Sequence, residues 1–129
     1  MILLDTHTWI WWVCQYSKKI PPNIDRKIRN GNEKVYVTSV SCLEIALLVK
    51  KGKIELSKNL NDWFILALKK SGIQLLPLTP EIAARINTLP EIHRDPIDRV
   101  IIASAIEHKA VLITKDSTIQ KYPELEWEW

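Results

Sequence analysis

Short, wholly apolar runs alternate along the chain with longer stretches whose apolar residues recur every three or four positions. The first run, Met1–Leu4, stops at Asp5. A run that short, apolar throughout, suits a strand buried on both faces. Thr8 to Tyr16 then reads as a tryptophan-rich helix, and Ile24 to Asn30 as a second helix closed by Gly31. Val35-Tyr36-Val37 is β-branched and aromatic, as strands prefer. Ser41 opens the next predicted helix. Ser41-x-x-Glu44 matches a capping box, and Gly52 sits just past the helix end. Asn61 to Lys70 predicts another helix, and Ile73 to Leu76 a strand. Thr79-Pro80 starts a helix with Thr79 as N-cap, its stripe being Ile82, Ile86 and Leu89. Asp95-Pro96-Ile97-Asp98 starts the last helix, running to about Lys109 with Ile97, Ile101 and Ala105 inward. Ala110–Thr114 is a strand ending at Lys115-Asp116. Leu125–Trp129 alternates with a period of two and predicts a half-buried edge strand.

Strands separated by helices indicate an α/β fold with a mostly parallel sheet and helices on both faces. Right-handed crossovers put the carboxyl ends of parallel strands on one edge, where ligands bind in such sheets. The 129 residues predict one domain, 1–129. No apolar run reaches the roughly 18 residues of a membrane span. The apolar opening has no basic region ahead of it, so no secretory signal is expected. Cys14 and Cys42 lie within apolar patterns and read as reduced core residues of a cytoplasmic protein. The net charge of +3 is uneven: residues 1–70 hold 12 Lys/Arg against 6 Asp/Glu, residues 71–129 hold 6 against 9. The basic half permits a nucleic-acid partner without demanding one.

The carboxylates fall in a telling pattern. Asp5 follows the first strand, Glu44 is expected in the first turn after the second, and Asp116 follows the strand Ala110–Thr114. Asp95 and Asp98 begin a helix that feeds that same strand, so its N-terminus must lie near the strand's carboxyl end. Five acids from distant parts of the sequence are thus expected on one sheet edge. Crowded like charges raise one another's pKa and destabilise a fold. Such a cluster suits a hard divalent cation, Mg²⁺ or Mn²⁺, able to activate water for phosphodiester cleavage. Each acid also has a plainer role: Asp95 as N-cap, Asp98 as its N3 partner, Glu44 in the capping box, Asp116 in a turn. Thr114, two before Asp116, could orient a water or phosphate or be a strand residue. His93 and Arg94 could touch substrate or lie in a solvated loop. Arg99 could bind phosphate or pair with Asp95 at i, i+4. The three histidines show no metal-ligand spacing, against zinc. Trp9 and Trp12 share a helix face and Trp11 takes another, for core packing or a protein partner.

Four segments together resemble the PIN-domain family, closest to its VapC branch of toxins from toxin–antitoxin pairs. They are Met1-Ile-Leu-Leu-Asp5-Thr-His7, Ser41-Cys-Leu-Glu44-Ile-Ala46, His93-Arg-Asp-Pro-Ile-Asp-Arg99 and Leu112-Ile-Thr-Lys-Asp116. The resemblance covers essentially the whole chain in order. It implies a three-layer α/β/α sandwich and a metal-dependent ribonuclease. Asp5, Glu44, Asp98 and Asp116 match the family's acidic quartet and would bind Mg²⁺ or Mn²⁺; Asp95 and Thr114 match supporting positions. It further implies an RNA substrate, a homodimer and a cognate antitoxin over the site. The sequence departs from the family at Leu43, where many relatives have Trp, and at Ile97, often Phe; both remain apolar. Two alternatives are a PIN fold that holds RNA or a partner without cutting, and a receiver-like phosphoacceptor. The second needs an Asp ending the third strand, where this chain runs into Pro77-Leu78.

Overall fold

The computed structural model describes residues 1–129, the side chain of Ser17 excepted. Five strands form one sheet: β1 (Ile2–Leu4), β2 (Val35–Thr38), β3 (Gln74–Leu76), β4 (Val111–Ile113) and β5 (Trp127–Glu128), in the order β3-β2-β1-β4-β5. Every pairing is parallel. The first strand is therefore central, with Leu3 opposite Tyr36 on one side and Leu112 on the other. All three residues of β1 are fully buried, which explains a run with no polar alternation. The order reverses between β1 and β4, leaving a crevice beyond their carboxyl ends.

Six α-helices cover the sheet: α1 (Thr6–Val13), α2 (Pro22–Arg29), α3 (Ser39–Lys50), α4 (Leu60–Phe64), α5 (Pro80–Ile86) and α6 (Pro96–His108). The period of two along β1 separates two cores. Ile2 and Leu4 pack with Trp9, Ile24, Ile28, Ile45 and Trp63 from α1 to α4. Leu3 packs on the other side with Ile82, Ile101, Ala105 and Tyr122. The three-layer α/β/α arrangement is thus borne out. None of the helices is long and apolar enough to cross a membrane. Both thiols are free and half-buried against the first core, with burial pushing each above the usual thiol range.

The structure corrects several local expectations. α3 begins at Ser39, two residues early, so Ser41-x-x-Glu44 is not a capping box. The Ser41 hydroxyl instead accepts from Thr6 Oγ1 at 3.0 Å and lies 3.2 Å from Thr38 Oγ1. Glu44 consequently stands in the second turn, not the first. The predicted helix at 61–70 is α4 followed by a wider π-type segment over Ile65–Lys70. There the Ala67 carbonyl accepts from Trp9 Nε1 at 3.3 Å, tying the segment to α1. Trp9 is wholly buried, so core packing explains it, whereas Trp11 and Trp12 are half-buried. The tail does form an edge strand, but only Trp127 and Glu128 pair, and Trp127 is 40% exposed. The expected alternation of burial is therefore incomplete.

Helix ends match their chemistry. Thr79 caps α5 through the Ile82 N–H, with Pro80 at N1. At the end of α3, the Lys53 N–H reaches the Leu48 carbonyl at 2.9 Å, with Gly52 at φ 69° in between. That left-handed position favours glycine. α1 closes in the same way, from the Tyr16 N–H to the Trp11 carbonyl at 2.9 Å, but with Gln15 at φ 60°.

Candidate active site

Asp5 leaves β1 directly as the N-cap of α1, its Oδ1 accepting from the Thr8 N–H at 2.8 Å. It is only 7% exposed. Burial raises its pKa above the carboxylate range, and hydrogen bonds from Thr114 and Thr8 and the nearby His7 offset part of the rise. Asp116 follows β4 through a tight turn. Its Oδ1 accepts from the N–H groups of Thr118 (2.8 Å) and Ile119 (3.3 Å), which fixes the carboxylate. Thr114 is fully buried and joins these two acids. Its hydroxyl accepts from the Asp116 N–H at 3.1 Å and hydrogen-bonds to Asp5. It braces the site from beneath and does not line the cavity.

From the other side of the crevice, Asp95 caps α6 by accepting from the Ile97 N–H at 2.9 Å. Asp98, one turn on, faces the same cavity. Its pKa is pushed up to about 8, first by burial and then by Asp95, Glu44, Asp5 and Asp116. Glu44 reaches in from α3. Its pKa is raised by burial, eased by Thr6 and His7, and raised further by Asp95 and Asp5. Among the described residues, the buried side-chain polar atoms lacking a hydrogen bond are Glu44 Oε1 and Trp12 Nε1.

Asp5, Glu44, Asp95, Asp98 and Asp116 line one cavity of about 510 Å³, together with Thr6, His7, Trp11, Lys115, Ser117 and Ile119. All five acids expected at the strand ends are brought together there. His93 adjoins them: its Nε2 lies 3.1 Å from Asp98 Oδ2 and 3.3 Å from Asp116 Oδ2. His93, Asp98 and Asp116 offer donor atoms within 4.8 Å of one another. His93, open from sequence between a substrate contact and a solvated loop, thus stands between two of the acids. His7, Lys115 and Ser117 also line the cavity, and their one signal in the sequence is adjacency to Asp5 and Asp116 at the strand ends.

The two arginines part company. Arg94 is exposed just before α6, does not line the cavity, and makes no ion pair among the described residues. Arg99 is 8% exposed and turned away from the cavity. Its guanidinium donates to the carbonyls of Ile86 (3.1 Å), Pro90 (3.1 Å) and His93 (3.2 Å), to Tyr122 Oη and to Glu91. Neither a phosphate contact nor an Asp95 pair is left to it. Five donors in a fixed fork can serve several carbonyls at once, and here they tie down the loop before α6.

Comparison with known proteins agrees with this architecture. The PIN domain family model matches residues 2–125. Ribonuclease VapC22 of Mycobacterium tuberculosis is 30% identical over 122 residues, spanning 94% of this chain and 91% of that protein. Two solved structures share the fold. VapBC2 from Rickettsia felis, bound to a DNA fragment from its promoter, superposes with a TM-score of 0.73 at 18% identity over 100% of this chain and 99% of that one. DNA-bound VapBC from Salmonella typhimurium gives 0.68 at 17%, over 98% and 96%. The chain belongs to the PIN-domain family, and within it to the VapC type.

Proposed function

We propose that the protein is a metal-dependent endoribonuclease, the toxin of a toxin–antitoxin pair, acting as a single cytoplasmic domain over residues 1–129. The observation that carries this reading is the convergence of five carboxylates on one cavity, with Glu44 Oε1 buried and unpaired. A buried carboxylate oxygen without a donor is costly, and like charges around it compound the cost. A hard divalent cation relieves both, and carboxylate oxygens are the donors that Mg²⁺ and Mn²⁺ select. The residues present therefore fit such an ion.

Asp5, Glu44, Asp98 and Asp116 would hold it, with Asp95 and Thr114 in support. When bound, the cation supplies positive charge that acidifies water and offsets charge developing on the phosphoryl oxygens. The chain's own part is to place the ligands. Asp5 and Asp95 are held by helix N-termini, and Asp116 by two backbone N–H groups. Burial and the neighbouring acids raise the Asp98 pKa to about 8, and a bound cation would favour its ionised form. Arg94, exposed beside the start of α6, would meet the RNA backbone. The VapBC relatives support an antitoxin partner; a homodimer is part of the same proposal.

The test is cleavage of total cellular RNA by purified protein with Mg²⁺, with Mn²⁺ and with EDTA, beside Asp5→Asn and Asp98→Asn. Metal-dependent cutting that both variants lose is expected. Intact RNA from folded, antitoxin-free wild type would overturn the nuclease reading in favour of a module that binds without cutting.

A further inference from the structure

Each polar atom of His93 has a partner. Its N–H donates to Tyr122 Oη at 2.9 Å, and its carbonyl accepts from Arg99 Nη1 at 3.2 Å. Its Nδ1 lies 3.1 Å from the Asp95 backbone nitrogen, and its Nε2 lies between Asp98 Oδ2 and Asp116 Oδ2. A backbone N–H can only donate, so Nδ1 must present its lone pair. With Nδ1 accepting, the ring's proton sits on Nε2, where Asp116 Oδ2 accepts it and Asp98, carrying its own proton on Oδ1, accepts through Oδ2. Metal ligation requires a bare ring nitrogen. Baring Nε2 would move the proton to Nδ1, against the Asp95 N–H. The three donor atoms within 4.8 Å therefore do not form a ligand trio.

We propose that His93 is a positioning residue. Locked with its proton on Nε2, it draws together Oδ2 of Asp98 and Asp116 and is not itself a metal ligand. The lock has two ends. Arg99 and Tyr122 hold its backbone, and the first residue of the α6 cap holds its ring. Asp116 Oδ1 is engaged by Thr118 and Ile119, so His93 governs the second oxygen of that carboxylate. Donors behind a ligand set its orientation, and their loss commonly weakens metal affinity by about 10–100-fold.

This inference rests on the metal-site reading above, and the experiment separates the two. Mg²⁺ binding to the full chain is measured by calorimetry for wild type, His93→Gln and His93→Asn. A Gln amide N–H replaces the Nε2 donor; the shorter Asn keeps an acceptor near Nδ1 but cannot reach the carboxylates. Asn should weaken Mg²⁺ binding about tenfold, and Gln should stay within about threefold of wild type. Pulsed EPR of Mn²⁺-loaded wild type should show no directly bonded nitrogen. ¹⁵N NMR of the histidines in metal-free wild type should show the Nε2–H tautomer, a readout independent of any variant's folding. A bonded nitrogen, an Nδ1–H tautomer, or Mg²⁺ affinity unchanged in Asn would each overturn the proposal. Wild type that binds neither Mg²⁺ nor Mn²⁺ would overturn the metal-site reading, and this one with it.

Discussion

Asp98 and Arg99 are neighbours on α6 with opposite surroundings. Asp98 faces four other carboxylates across a cavity, and its proton is held to about pH 8. Arg99 faces three carbonyls, a phenol and a carboxylate, with its charge fully engaged. One residue's rotation about the helix separates a region of crowded carboxylates from one satisfied by the chain alone. The contrast fits the proposed reading, in which charges given partners by the fold are structural and charges left facing one another await a ligand.

The largest effect should come from breaking the satisfied side. Arg99→Met leaves the Ile86, Pro90 and His93 carbonyls without their donor and frees the loop before α6. A loss of about 3 kcal/mol or more is expected from those unsatisfied carbonyls, read as a lower urea midpoint. Next comes relief of the crowded side. Saturating Mg²⁺, at about a hundred times its dissociation constant, should stabilise wild type by about 3 kcal/mol in a thermal melt. Glu44→Gln should diminish that gain, since it removes the carboxylate that holds the unpaired oxygen.

Smaller again is the cost of the carboxylates themselves. Asp98 binds its proton more tightly folded, at about pH 8, than unfolded, near 3.8. Between those values the folded state holds the extra proton, so stability falls as pH rises across the window and levels off above it. Asp5 and Glu44 shift in the same direction. In EDTA the protein should therefore resist urea better at pH 5 than at pH 8. Asp98→Asn should flatten that slope and stabilise the metal-free protein at pH 8 by roughly 1–2 kcal/mol, while abolishing cleavage. The smallest effect on folding belongs to Arg94→Ala, within about 0.5 kcal/mol. Its RNA affinity should lose salt dependence equivalent to about one phosphate contact, a slope change of about 0.7.

The sequence carried the acids of this contrast further than the arginine. Asp5 and Asp116 were legible because a short apolar run ending in an acid locates a strand's carboxyl end. Asp95 and Asp98 were legible because Asp-Pro-x-Asp fixes a helix start. Glu44 was placed on the right edge but in the wrong turn. Its spacing from Ser41 imitates a cap, while the Ser41 hydroxyl is spent on Thr6 and Thr38. The role of Arg99 is not legible in the sequence because its acceptors are mostly backbone carbonyls, which leave no trace in side-chain identity. His93 is not legible as the bridge, since its partners lie five and 23 positions away along the chain.

The central position of β1 also bears on timing. Ile2 pairs with Val111 as well as Val35, so β1 waits until residue 111 is made before both its edges are covered. The acids that share the cavity are likewise spread from residue 5 to residue 116. At roughly 5–20 residues per second, ribosomal synthesis separates the first of them from the last by about 5–20 seconds. A partly made chain therefore holds the parts of the pocket without the pocket. Whatever chemistry the five carboxylates perform begins only once Asp116 has emerged and β4 has slotted in beside β1.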